Sequence, residues 1–137
     1  MTSYISSQLR QLVTDRAGGK CEYCLIHQDF SIYSHEVDHA TAVKHGGLST
    51  EENLVLACLP CNRYKGSDLT SIDPITKQIT VLFNPRLHKW NEHFQIDQGN
   101  ILGKTTIART TIFLLKLNEP KRLMIRQALI LQKLYPS

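Results

Sequence analysis

The stretch His35-Glu36-Val37-Asp38-His39 fits either of two metal-dependent hydrolytic chemistries. If the stretch is helical, His35 and His39 share one face, which is the H-E-x-x-H arrangement of zinc peptidases. If it is a strand, Asp38 and His39 stand at its end, where a carboxylate can hold a metal and an imidazole can activate water. The two hypotheses require different secondary structure, so the surrounding sequence decides between them.

Four cysteines are spaced as two metal-binding knuckles. They form two C-x-x-C pairs separated by 33 residues, namely Cys21 with Cys24 and Cys58 with Cys61. Four thiolates from two such pairs complete a tetrahedron around Zn²⁺, so we predict a structural zinc ion. Two disulfides or a redox pair are the alternatives. The N-terminus lacks the basic start and apolar run of a secretory signal, so we expect a cytoplasmic protein, in which disulfides are disfavoured.

The segments around these residues predict the elements that position them. The run from Phe30 to Val37 contains β-forming residues, which favours a strand over a helix at 35–39. A third metal ligand for a peptidase has no obvious candidate on a following helix, so we favour the strand. Helices are expected over residues 4–17 and from Leu59 to Lys65, and each is followed by glycine.

Beyond residue 72 the pattern predicts a further α+β segment. A strand is expected between Gln78 and Phe83, a hairpin around Gln98-Gly99-Asn100, and helices over 105–117 and 120–134. We therefore predict an α+β protein in which residues 1–72 form the core and residues 73–137 form a C-terminal α+β extension packed on it.

Six sequence elements within residues 21–66 occur in an order typical of one nuclease family. They are CEYC at 21–24, EVDH at 36–39, GG at 46–47, NL at 53–54, CLPCN at 58–62 and KG at 65–66. This part, about a third of the chain, resembles the HNH endonucleases. The resemblance implies a ββα-metal core, in which a hairpin and a helix hold one catalytic divalent ion. Here the four-cysteine zinc site would stabilise the core, and the N-terminal helix would precede it.

The resemblance also implies a role for each matching residue. His39 is the general base that activates water, and Asp38 and Asn62 hold the catalytic ion, Mg²⁺ or another divalent ion such as Mn²⁺. Asn53 ties the loop together through side-chain hydrogen bonds and takes no part in the chemistry. Glu36 is expected to orient a neighbour or to form a salt bridge. The reaction implied is phosphodiester hydrolysis that leaves 5′-phosphate and 3′-hydroxyl ends.

Positive charge is concentrated at the C-terminal end. The net charge is +4, but residues 103–137 carry seven basic side chains and one acidic one, whereas residues 1–72 carry six basic and eight acidic ones. A basic tail on a mildly acidic core suggests a polyanionic partner, and a solvated basic face is the alternative. We expect DNA, with RNA as an alternative. The candidate contacts are Lys65, Arg86, Arg122, Arg126 and Lys133.

The sequence thus predicts a metal-dependent DNA endonuclease with two rival interpretations. One rival is a non-catalytic, zinc-stabilised nucleic-acid-binding module, and the other is an RNase or structure-selective nuclease. Only the enzyme requires Asp38, His39 and Asn62 together. The apolar runs are too short to span a bilayer, so no membrane partner is expected. A dimer is compatible with cutting both strands of a duplex.

Overall fold

A computed structural model describes residues 4–136 and confirms the α+β class. Within these residues, three antiparallel two-stranded hairpins alternate with five α-helices. The first helix, α1, spans Ser7–Arg16 and is capped by Ser6, whose hydroxyl accepts a hydrogen bond of 3.1 Å from Leu9 N. Arg16 at its end donates to the Leu54 carbonyl at 2.6 Å, so the helix is fastened to the first hairpin.

The first hairpin and the second helix form the predicted ββα unit. Strand β1 (Glu36–His39) pairs antiparallel with β2 (Leu54–Ala57), and helix α2 (Leu59–Lys65) follows directly. All four β2 side chains are buried. Because residues 36–39 are a strand, the helical H-E-x-x-H alternative is wrong. His35 lies just before this strand, where its Nε2 is 2.8 Å from the Ile26 carbonyl oxygen.

The extension forms two further hairpins and three helices. Gly99 and Gln98 adopt positive φ angles of 88° and 51°, which gives the tight turn between the last two strands. The predicted hairpin and both terminal helices are confirmed, and α4 ends at Leu115 because Lys116 takes a left-handed conformation. The elements are β3 (Thr70–Ile72), β4 (Ile79–Val81), α3 (Trp90–His93), β5 (Phe94–Asp97), β6 (Asn100–Gly103), α4 (Thr106–Leu115) and α5 (Pro120–Leu131).

One buried cluster joins the ββα unit to the extension. Val55 and Ala57 of β2 belong to the same apolar core as Phe94, Leu115 and Leu117. The β3–β4 hairpin also crosses the expected boundary at residue 72, since β3 precedes it and β4 follows it. The extension therefore shares its core with the ββα unit. Across residues 4–136, no helix has the length and apolar character needed to traverse a bilayer.

Candidate functional site

The four cysteines converge at the start of α2. Their sulfur atoms all lie within 4.8 Å of one another, and all four side chains are buried. Cys24 Sγ and Cys58 Sγ are 3.7 Å apart. A disulfide requires about 2.05 Å, whereas the edge of a tetrahedron with Zn–S bonds of about 2.3 Å is roughly 3.8 Å long. The cluster is therefore compatible with structural zinc, and the disulfide alternative is wrong for this structure.

Burial opposes the ionisation of two of the cysteines when no metal is bound. Burial raises the pKa of Cys21 and of Cys61 well above the ordinary value, because a thiolate is poorly solvated there. Hydrogen bonds from the neighbouring thiols lower the pKa of Cys24. Four thiolates packed together in this interior need a bound cation to offset their charge.

A second group of polar side chains lies where β1 faces α2. Side chains alternate along a strand, so Glu36 and Asp38 project from the same face of β1. Asp38 Oδ2 is buried and has no hydrogen-bond partner among the described residues. Burial raises the pKa of Asp38, and the nearby Lys65 ammonium opposes that effect. A buried carboxylate oxygen that accepts no hydrogen bond is a suitable ligand for a cation.

Lys65 points inward toward this carboxylate. Its side chain is 3% exposed, and its Nζ lies 3.8 Å from Asp38 Oδ2 and 3.3 Å from the His39 carbonyl oxygen. Burial lowers the pKa of Lys65, an effect that Asp38 opposes. Lys65 is therefore not a solvent-exposed lysine at the helix end, and its predicted contact with phosphate stays a prediction.

Glu36 and Asn62 form the second contact between the same two elements. Asn62 Nδ2 donates to Glu36 Oε1 at 2.8 Å. Asn62 and Lys65 are three residues apart on α2, so they share the face that meets β1. The structure thus brings the predicted residues Asp38 and Asn62 to one strand–helix interface.

The loop after β1 positions His39. His39 Nε2 is 2.9 Å from Ser49 Oγ. Asn53 closes this loop with three hydrogen bonds of 2.9 Å, because its Oδ1 accepts from Thr41 N and its Nδ2 donates to the carbonyls of Thr41 and Leu48. A Cβ at Gly47 would lie 1.7 Å from the Thr41 oxygen, so the loop requires glycine there. Ser49 is not among the predicted site residues, because Ser49-Thr50-Glu51-Glu52 has the pattern of a helix cap.

Most of the predicted nucleic-acid contacts are used inside the protein. Arg126 is 1% exposed and donates to Gly99 O and Asn118 Oδ1. Arg122 donates to cysteine sulfurs. Arg86 is paired with Glu22, and its side chain is 14% exposed. Each of these three guanidinium groups has an internal partner in this conformation, so none is a free surface cation, and their contacts with nucleic acid stay predictions. Lys133 is exposed, so its predicted contact stays a prediction.

Comparison with known proteins agrees with this geometry. Residues 21–68 match the family model described as HNH endonuclease, which spans both cysteine pairs, β1, β2 and α2. No curated protein and no solved structure matched the chain. The match confirms the resemblance expected from the sequence and supports a nuclease-family function. The matched segment, about a third of the chain, coincides with the ββα unit and its two cysteine knuckles.

Proposed function

We propose that the protein is a metal-dependent endonuclease that hydrolyses phosphodiester bonds of DNA. The observation that carries this proposal is the buried Asp38 Oδ2, which lacks a hydrogen-bond donor and stands one residue before His39. A cation ligand and an imidazole at consecutive positions of one strand supply the two groups that phosphodiester hydrolysis needs. The HNH match supports the same chemistry.

Asp38 and Asn62 would hold the catalytic ion, and their oxygens suit Mg²⁺ or Mn²⁺. When bound, such an ion stabilises negative charge on the phosphate and on the leaving oxygen. Because Glu36 accepts from Asn62 Nδ2, the amide is oriented with Oδ1 as its free ligand atom. Glu36 is therefore a positioning residue in this proposal, whereas Asn62 is a direct ligand.

His39 would take the proton from the attacking water. If Ser49 Oγ accepts the hydrogen bond from His39 Nε2–H, the other ring nitrogen, Nδ1, carries the lone pair that removes the proton. Asn53 keeps the intervening loop closed and so keeps Ser49 within reach of His39. The protein's own residues would thus fix the tautomer of the base as well as its position.

A structural zinc ion would hold α2 in place. Cys61 and Asn62 are adjacent at the beginning of α2, so fixing the Cys61 sulfur also fixes the helical turn that carries the proposed ligand. The four-cysteine cluster supports this part of the proposal. Zinc would be required for folding and take no part in the reaction.

One observation favours the non-catalytic rival. Lys65 already supplies a positive charge 3.8 Å from Asp38 Oδ2, so the carboxylate has a cationic neighbour without any metal. In a zinc-stabilised nucleic-acid-binding module, this ion pair would be purely structural. The enzyme requires the ammonium to remain beside the metal or to move toward the phosphate when the metal binds.

Cleavage of supercoiled plasmid by the zinc-loaded protein distinguishes the endonuclease from the non-catalytic binding module. With Mg²⁺ or Mn²⁺ added, we expect cutting by the wild type and a loss of about 10²–10⁴-fold in His39→Ala. His45→Ala is the matched control, because His45 is an exposed histidine of the same loop. Cutting by His39→Ala at the wild-type rate would contradict the assignment. Binding without cutting by the wild type would favour the module, and cleavage of RNA alone would identify the other rival.

A further inference from the structure

Arg122 connects the extension to the sulfur cluster. Its Nη2 lies 2.9 Å from Cys61 Sγ and 3.8 Å from Cys58 Sγ. Its Nη1 donates to the carbonyl oxygens of Leu115 at 2.8 Å and Lys116 at 3.1 Å, at the end of α4. One guanidinium therefore joins the first turn of α5, the last turn of α4 and the second cysteine knuckle.

The charge at this contact is complementary. Four thiolates around Zn²⁺ carry a net charge of −2, and the cysteines are buried, so this charge lacks solvent to stabilise it. A guanidinium donating to a thiolate offsets part of that charge and withdraws electron density from the sulfur. Such partners of metal ligands contribute strongly to metal affinity in other proteins.

The extension also holds the first knuckle at three further points. Trp90 Nε1 donates to the Tyr23 carbonyl at 2.8 Å, and the Tyr135 hydroxyl donates to the Cys24 carbonyl at 2.7 Å. Arg86 pairs with Glu22, which lies between the first two cysteines. These contacts fix the knuckle backbone, whereas Arg122 is the side chain of the extension that reaches sulfur.

We infer that Arg122 is a positioning and charge-compensating residue of the zinc site, through which the C-terminal extension sets how tightly the domain retains zinc. The inference rests on the proposed zinc site and is independent of the nuclease reaction. It assigns to Arg122 a role in metal retention, and it leaves the exposed lysines of the basic tail as the candidates for nucleic-acid binding.

The test is competition for zinc between a chelator and the full-length, zinc-loaded protein. For Arg122→Gln we expect the zinc dissociation constant to rise about 10–100-fold. Arg126→Gln is the matched control, since Arg126 is a buried arginine of the same helix whose partners are Gly99 and Asn118. Its zinc affinity should stay within about threefold of the wild type. An unchanged affinity in Arg122→Gln, or equal weakening in both variants, would overturn the inference.

A second measurement is the absorption spectrum of the protein with Co²⁺ in place of Zn²⁺, which reports on the sulfur ligands. It uses Arg122→Lys, so it can be made even if Arg122→Gln does not fold. Arg122→Lys keeps the charge but lacks the planar fork that serves sulfur and carbonyls together. Loss of the hydrogen bond raises the energy of the sulfur electrons, so the sulfur-to-cobalt charge-transfer band should move to lower energy in Arg122→Lys and not in Arg126→Gln. An unmoved band in Arg122→Lys refutes the inference. A wild type that binds no zinc refutes it together with the zinc site, whatever its nuclease activity.

Discussion

Asn62 Nδ2 donates a 2.8 Å hydrogen bond to Glu36 Oε1, across the interface between β1 and α2 of the ββα unit. Two residues further along the strand, Asp38 meets Lys65, which lies one turn further along the helix. The strand period of two and the helix period of about 3.6 therefore place two polar pairs side by side. The proposed metal ligands, Asp38 and Asn62, each have a partner that limits their orientation.

The first prediction concerns Glu36. Glu36→Ala removes the acceptor for Asn62 Nδ2, so the amide is free to rotate and its oxygen is no longer held ready for the ion. We expect about a tenfold loss of cleavage rate and a higher Mg²⁺ concentration at half-maximal rate. Glu36→Gln keeps an acceptor and should lose less.

Glu52→Ala is the control, because Glu52 is an exposed glutamate outside this interface. Plasmid cleavage measured across a Mg²⁺ titration gives both the cleavage rate and the Mg²⁺ concentration at half-maximal rate. A lower rate with an unchanged Mg²⁺ requirement would mean that Glu36 does not act through the metal ligand.

The second prediction concerns the contact between Ser49 and His39. Ser49→Ala removes the partner of Nε2 and leaves the tautomer of the base unfixed, so we expect roughly a tenfold fall in cleavage rate. If Ser49 acts only through His39, the double variant should be no slower than His39→Ala alone. Ser34→Ala, an exposed serine before the strand, is the control. A double variant slower than His39→Ala would show an independent role for Ser49.

The ββα unit was predictable because the residues that determine its strand, helix end and knuckles are close to one another in sequence. The β-forming run before Asp38 and the glycine after Lys65 indicate the strand and the helix end within a few residues of each site residue. The two C-x-x-C spacings indicate the knuckles in the same way, since the two ligands of each pair are close in sequence. Patterns of this kind do not depend on the tertiary structure.

The internal roles of the arginines were not predictable because their partners are distant in sequence. Arg122 reaches Cys61, Arg109 reaches Asp73, and Arg126 reaches the Gly99 carbonyl. A charge count treats these arginines and the exposed lysines of the tail alike, although only the fold decides which cation is buried. The planar guanidinium can donate to several acceptors at once, which suits it to these interior positions.

The third prediction concerns the Asp73–Arg109 ion pair and the stability of the fold. Asp73 is fully buried, and its carboxylate accepts from Arg109 Nη2 at 2.8 Å and from the Thr76 hydroxyl at 2.8 Å. These hydrogen bonds, that of Arg109 foremost, hold the pKa of Asp73 well below its usual range. Asp73→Asn should lower Tm at neutral pH by about 5 °C or more, because Arg109 loses its charged partner.

The pH dependence of this effect has a definite sign. Since the pKa of Asp73 is lower in the folded state, its contribution to stability is complete above the unfolded value of about 3.9 and is lost as the pH falls further. The Tm difference between wild type and Asp73→Asn should therefore shrink below about pH 4. Thermal unfolding of the wild type and Asp73→Asn, measured at several pH values, tests this expectation. Asp97→Asn, which changes an exposed aspartate, is the control. A difference that stays constant down to pH 2 contradicts the assignment.

The last prediction concerns the source of nucleic-acid affinity. Of the seven basic side chains in residues 103–137, the three arginines have internal partners, whereas all four lysines are exposed: Lys104, Lys116, Lys121 and Lys133. Deleting residues 103–137 would also remove the fully buried Ala108, Leu115 and Leu117, so we expect the truncated chain to unfold. The contribution of the tail to binding therefore has to be tested with point variants.

Replacing the four lysines with glutamine keeps the buried core; besides exposed charge it removes only the contact of Lys116 Nζ with the Tyr64 ring, at 5.0 Å. If the tail binds DNA, the slope of log K against log salt should become shallower by about 0.9 for each phosphate that the variant no longer neutralises. Fluorescence anisotropy with labelled duplex at several salt concentrations measures this slope. Lys77→Gln, an exposed lysine outside the tail, should leave it unchanged. A quadruple variant that folds and retains the wild-type slope would show that these four lysines do not contact DNA phosphates.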